Sequence, residues 1–409
     1  MRNRSLVEYF LWGSVIALIV GAPFYAMLMA PVADGRDAVG YTVGRDFVNY
    51  WLGGRLALDG AAANLFDPQL YLQEVHQRFY ADHPWMQFSY MPNVIPLLAI
   101  FGLFPYWPAL ALWSIAGVAL FLLVSFKDSG VSGDARRNLM IAAIISPIII
   151  VNLAFGQMGL FLAALFVGGL RLSDKRPLLA GVLIGLLTIK PQLGPLLAIY
   201  LLIERNWPAI ASATATAILL GLASLAFGGV ENWRAYFENI APVQVELSNT
   251  FHGFYGYQTA TIFGALRLLG TPLSLAWAIH GVVAIGVLTS AVYMLFANGV
   301  SKKIKILIMA CAATLLPNYL LVYDLSILLA AALYAMDEIE ELFGPIDRIF
   351  LALLWVMPFS LAVMIQLAGM PLVALLILGV YICVVTKALG ARRSSSTAFI
   401  DQVASGGNI

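Results

Sequence analysis

Charge is what this 409-residue chain has least of: Asp, Glu, Lys and Arg together make up 11% of it, against roughly a quarter in a soluble globular domain. So few charges cannot clothe a water-facing surface, and 61% hydrophobic residues with a mean hydropathy of +0.87 point to a polytopic, all-α membrane protein. Cysteine is almost missing as well. Cys311 and Cys383 lie far apart in apolar runs, which excludes a disulfide framework or a cysteine metal cluster. No His, Cys and Asp spacing matches a dedicated metal site, so no metal ligands are assigned and a divalent ion as cofactor is left open. A net charge of +1 gives no bulk attraction for nucleic acid, and none is expected as a partner.

What the chain does have is long apolar runs. Residues 10–30 and 274–296 each offer the roughly 20 residues that a helix needs to cross the hydrocarbon core. The first is too long and too poorly flanked for a cleaved signal peptide, so it reads as a retained anchor. Of the 23 Lys and Arg, 16 fall in termini or short connections that can share one side. The other seven are Arg36, Arg45, Arg55, Arg78, Lys190, Arg234 and Arg267. By the positive-inside rule the long segments 31–92 and 229–271 then lie outside, with both termini inside. Pro105 and Pro108 split 93–126, while GQMG at 156–159, KPQ at 190–192 and PNY at 317–319 interrupt other runs. With 93–104 re-entrant or tucked against neighbours, parity gives about twelve crossings. Polar backbone at membrane depth survives only in protein or beside a wet cavity, so the three breaks predict a shared cavity on the outer side. The organisation is one membrane domain, 1–390, with two outer-loop insertions and a flexible cytoplasmic tail, 391–409; internal repeats are not evident.

The stretch GRDFVNYWLGGRLALDG, residues 44–60, carries the first chemistry. Phe47, Tyr50, Trp51, Gly54 and Leu58 recur at helical spacing, which predicts an amphipathic helix along the membrane surface, anchored by Tyr50 and Trp51. Gly53 and Gly54 allow another element to approach closely. A second amphipathic helix is expected over 68–80, with Leu70, Tyr71, Val75 and Phe79 on one side and Asp67 as its cap. Such helices over an outer cavity suit a lid or a lipid-docking surface.

Asp46-Phe47, Tyr50-Trp51, Gly54-Arg55-Leu56 and Gly60, followed by Leu65-Phe66-Asp67, resemble the first-loop signature of glycosyltransferase family 87. Further likenesses follow in order: Tyr90-Met91-Pro92, Gly156-Gln157, Lys190-Pro191-Gln192, Gln258-Thr259 with Arg267, and Pro317 with Tyr323-Asp324-Leu325. The resemblance runs from about residue 44 to 330. It implies the multi-spanning C-type glycosyltransferase fold and a polyprenyl-phosphate-mannose-dependent mannosyltransferase. Its partners would be a polyprenyl-phosphate sugar donor, a lipid or glycan acceptor, and membrane lipids. Its place would be the inner, cytoplasmic membrane, with the active site facing the periplasm or cell exterior. By position in the family, Asp46 is the general base that takes the acceptor proton, with inversion at the anomeric carbon. No second carboxylic acid is needed, because a phosphate leaving group departs without protonation.

Each candidate has a plainer reading beside it. Asp46 stands where a helix N-cap stands. Tyr50 belongs either to the substrate cavity or to the interface anchor. Arg55 either contacts phosphate or acceptor, or snorkels to the surface. Lys190 binds a phosphate or pairs with a cavity carboxylate, and Asp324 binds sugar or orders Lys190. Gln157 and Gln192 suit a sugar, yet equally satisfy the free groups of a broken helix. His252, among Asn249, Tyr255, Tyr257 and Gln258, either bonds sugar or phosphate or is an ordinary loop histidine. His76 and His83 read as solvated, and the acidic DEIEELFGPIDR as a solvated cytoplasmic helix. The rival class is a membrane transporter or lipid-linked-sugar flippase, which tends to place its site at the midplane between repeated halves. Convergence of Asp46, Lys190 and His252 in one outer cavity would favour the enzyme.

Overall fold

The computed structural model describes residues 5–250, 256, 258–368 and 372–405. Regular structure among them is helical, apart from three isolated β-bridges. Five helices are long and apolar enough to cross a membrane: Tyr106–Phe126, Gly133–Ala154, Trp207–Leu225, Leu273–Phe296 and Leu372–Ala391. Shorter apolar helices, such as Leu6–Gly21, Gly159–Leu172 and Pro177–Ile189, accompany them. Burial is distributed as it must be in a lipid solvent. Ser326–Tyr334 is buried at every residue, whereas Trp207–Leu225 and Leu273–Phe296 turn Ile218, Leu222, Val282 and Ile285 outward. Leucine and isoleucine pointing away from the protein are stable where the surroundings are as apolar as they are.

The helices that frame the site are α1 (Leu6–Met29), α2 (Phe47–Leu58), α3 (Pro68–Arg78), α4 (Ile95–Gly102), α5 (Tyr106–Phe126), α6 (Gly133–Ile144), α7 (Pro147–Ala154) and α8 (Gly159–Leu172). Helix α2 is enclosed by protein. Nine of its twelve residues are buried, Tyr50 completely, and only Leu58 of the expected stripe is well exposed. Helix α4 covers that stripe itself, through glycines on both helices and the Phe47–Phe101 ring contact, while Asn49 on the far side bonds Tyr71 of α3. A Cβ on Gly54 would stand 2.0 Å from the Leu98 carbonyl oxygen, and one on Gly102 would stand 2.5 Å from the Gly54 carbonyl carbon. Backbone-to-backbone contact of this kind is open only to glycine. At 1.5 Å per residue the eight residues of α4 rise about 12 Å, far short of a bilayer, so α4 is tucked as the proline-split run suggested.

Helix α3 starts as expected. Asp67 accepts the Gln69 and Leu70 amides at 2.9 and 3.0 Å, and Pro68 occupies the first turn. Tyr71 and Val75 are buried, while Leu70 faces outward. His83, expected to be solvated, is 3% exposed: its Nε2 accepts the Thr42 amide at 3.3 Å and its Nδ1 meets the Pro84 carbonyl at 2.8 Å. The acidic segment forms a part-exposed helix, Met336–Leu342, whose carboxylates are also paired, Asp337 with Lys303 at 2.6 Å and Glu340 with Arg348 at 3.1 Å. The last helix, Leu372–Ser405, runs on into the residues that read as a tail.

Candidate active site

Asp46 immediately precedes α2, but its side chain makes no capping bond. Its carboxylate instead accepts Gln157 Nε2 at 2.5 Å, across 111 residues of sequence. Two local features bring them together. The chain enters α2 through Gly44 at φ 94° and Arg45 at φ 38°, a left-handed turn that is uncommon for a residue with a Cβ. Tertiary bonds hold that turn: the Asp46 amide donates to the Phe155 carbonyl at 3.1 Å, and the Tyr106 hydroxyl to the Val43 carbonyl at 2.8 Å. On the other side, the break between α7 and α8 presses against it. Gly156 has φ 60°, and a Cβ there would meet the Gly44 carbonyl oxygen at 2.3 Å and Phe47 Cβ at 2.6 Å. The GQMG interruption thereby seats Gln157 beside Asp46.

A row of hydrogen bonds continues behind the acid. Gln157 Oε1 accepts the Tyr50 hydroxyl at 2.9 Å, and the Tyr50 oxygen accepts the Tyr90 hydroxyl at 2.9 Å. Tyr50 stacks on Trp113 with ring centroids 4.9 Å apart, and Trp113 Nε1 donates to the Gln157 carbonyl at 3.3 Å. One helical turn along α2 from Asp46, Asn49 accepts the hydroxyl of buried Tyr71 at 2.5 Å.

Asp46 opens on a cavity of about 380 Å³, within the range of small-ligand sites. Tyr41, Arg45 and Asn49 line it from the first loop and α2, Gln87, Ser89 and Tyr90 from the extended stretch before α4, and Phe155 and Gln157 from the break. Gln244 and Gln258 come from the second long loop, Tyr319 and Tyr323 from the PNY break. The segment around Gln258 is pinned to that break by Ala260 donating to the Leu320 carbonyl and Val322 to the Gln258 carbonyl, each at 3.0 Å. Amides, hydroxyls and aromatic rings around one acid suit a polyhydroxylated ligand. Arg45 reaches Asp37 with Nε to Oδ2 at 2.6 Å. Burial pushes the Asp46 carboxyl up to about 6, against the opposing pull of the Gln157 bond and the Arg45 charge. An acid so tuned exchanges its proton near neutral pH.

The other candidates divide. Asp46, Gln157 and Gln258 share the cavity, and Tyr50 stands directly behind its wall. Lys190 and Asp324 are not in the lining; they pair with each other at 2.5 Å, with Lys190 Nζ 5.6 Å from the Tyr323 ring centre. The KPQ break thus supports the wall without contributing to it. Gln192 is exposed, and Arg55 pairs with Asp59 at 3.3 Å, both away from the cavity. His252 lies outside the described residues, as do Tyr255 and Tyr257. Among the described residues no three His, Cys, Asp or Glu side chains gather as a metal site.

Sequence reasoning left out Arg45, Asn49, Gln87, Ser89, Gln244, Tyr41, Tyr319 and Tyr323. Asn49 was within reach, because i+3 spacing puts it on the Asp46 side of α2. Gln87 and Ser89 alternate along an extended stretch, which points them to one side. Gln244 carries no such signal.

A family model for glycosyltransferase family 87 matches residues 88–323, more than half of the chain. Asp46 and the first loop up to residue 87 precede the matched region. No curated protein and no solved structure matches the chain. With the family match, the apolar helices and a cavity suited to a sugar, the chain belongs to glycosyltransferase family 87 and is a membrane glycosyltransferase that takes a sugar donor and an acceptor.

Proposed function

We propose that the chain transfers mannose from a polyprenyl-phosphate donor to a hydroxyl of a lipid-linked or glycan acceptor, with Asp46 as general base. In this reading the fold is C-type with about twelve crossings of the inner membrane, and the cavity opens to the periplasm or cell exterior. The observation that carries it is Asp46: a carboxylate at a helix start that caps nothing, faces a polar cavity, and is pushed up to about 6. The acceptor oxygen attacks the anomeric carbon from the face opposite the phosphate while Asp46 takes its proton. The sugar–phosphate bond breaks, the configuration inverts, and polyprenyl phosphate leaves as an anion. Arg45, beside the acid in the same wall, offers cationic stabilisation to the charge that grows on the phosphate. Lys190 and Asp324, locked together, steady Tyr323 at the opposite wall.

The test is transfer of labelled mannose from polyprenyl-phosphate mannose to a membrane lipid extract by purified wild type and Asp46→Asn. The variant loses roughly 10²- to 10⁴-fold in rate. With a carboxyl at about 6, wild-type transfer falls about tenfold from pH 7 to pH 5, as the ionised fraction does. Equal transfer by both proteins removes Asp46 from the chemistry. No transfer by wild type removes mannose and passes the same comparison to other polyprenyl-phosphate sugars.

A further inference from the structure

Gln157 is committed at both ends of its amide. A carboxylate accepts and does not donate, so the Nε2 end must face Asp46 and the Oε1 end must face Tyr50. The Tyr50 hydroxyl gives its one proton to that oxygen and therefore accepts from Tyr90. The donors in the row Tyr90, Tyr50, Gln157 thus all point toward the acid. Because an amide nitrogen does not hand on its proton in this chemistry, the row is not a proton wire. Its effect is to occupy Asp46 Oδ2, on a side chain that lines the cavity, and to leave Oδ1 out of the row.

The side-chain amide of Gln157 is not repairing the helix break. The backbone there is satisfied without it: the Gln157 amide donates to the Asn152 carbonyl at 2.8 Å, and Asn152 Nδ2 bonds the Ile148 and Tyr323 carbonyls at 2.9 and 3.2 Å. The two hydrogen bonds of the Gln157 side chain go to other side chains. Gln157 is 4% exposed and Tyr50 fully buried, the latter clasped between the Trp113 and Tyr90 rings, so the row is rigid.

Resting on the reading of Asp46 as base, we propose that Gln157 is a positioning residue that holds Asp46 Oδ2 so that Oδ1 meets the acceptor hydroxyl, and that Tyr50 sets the polarity of the Gln157 amide. A donor held against the ionised form favours ionisation, so removing it makes the acid harder to ionise.

The test reads the acid directly, without substrate. A water-soluble carbodiimide with an amine nucleophile couples to protonated carboxyls, and mass spectrometry of the full-length protein in nanodiscs gives the extent of coupling at Asp46 against pH. The wild-type midpoint is expected near 6. Gln157→Met moves it upward by about one pH unit. Tyr50→Phe removes a single oxygen and keeps the ring, and moves it the same way by less, because the amide is then free to turn Oε1 toward the acid. A packing role alone would lower the unfolding temperature of Gln157→Met and leave both midpoints at the wild-type value, which overturns the proposal. Mannose transfer by Asp46→Asn separates the two claims: wild-type transfer by that variant removes the base itself, whereas abolished transfer with unmoved midpoints removes only the positioning role.

Discussion

Asp46→Asn should move activity and stability in opposite directions. Burial in the cavity wall raises the Asp46 carboxyl from 3.8 to about 6. Since the folded value lies above the unfolded one, the protonated acid favours the fold; that contribution is complete below about pH 4 and is lost as pH rises through about 6. The carboxylate then costs the fold about 3 kcal/mol at pH 7.5 and about 1 kcal/mol at pH 4.5. Asparagine keeps the shape, stays neutral, and still presents an oxygen to Gln157 Nε2. The variant is therefore expected to be more stable than wild type by up to about 3 kcal/mol at pH 7.5 and about 1 kcal/mol at pH 4.5, while transfer is lost. Unfolding of both proteins in one detergent, followed by tryptophan fluorescence at the two pH values, measures the difference. Were Asp46 a helix cap, asparagine would cap about as well and the stability would hardly change at either pH. A variant less stable than wild type at pH 7.5 refutes the reasoning, whatever happens to transfer.

Lys190→Met leaves Asp324, 1% exposed, without the cation that stands 2.5 Å away, and should destabilise by about 3–5 kcal/mol. Adding Asp324→Leu should restore much of that loss; unfolding temperatures that fall further, by the sum of the single changes, would show that the pair is not coupled. Gly54→Ala sets a methyl 2.0 Å from the Leu98 carbonyl oxygen, where only the backbones of α2 and α4 can yield, so it should cost at least the 1–3 kcal/mol of ordinary overpacking and reduce transfer with it. Gly194→Ala, with nothing within 4 Å, is the control and should stay within about 0.5 kcal/mol of wild type; equal effects of the two changes would sink the argument from α2–α4 contact.

Composition and spacing reached some features because those are written locally. The Asp67 cap, the proline that opens α3, the glycines that let a neighbour touch α2 and the short run at 93–104 each follow from a few adjacent residues. The periodicity of α2 misled for an equally physical reason: Phe47, Tyr50, Trp51, Gly54 and Leu58 mark one apolar side, and nothing in them says whether lipid or another helix covers it; α4 does. Lys190 shows the same limit. A cation at a helix break must meet an anion, and the sequence allowed a phosphate or a carboxylate; the fold brings Asp324 from 134 residues away.

The sequence by itself determined the solvent and the chemistry class. Scarce charge and long apolar runs require a bilayer, since no other surroundings stabilise such a surface, and the ordered short motifs pointed to a family that the match over residues 88–323 bears out. Only the tertiary structure decided what Asp46 does with its oxygens. A capping aspartate and a cavity aspartate look alike along the chain; they differ in whether the carboxylate turns back to its own helix or outward to Gln157. That choice is made by Gly156 pressing the α7–α8 break against the Gly44–Arg45 turn, a contact between segments more than a hundred residues apart whose energy no local pattern records.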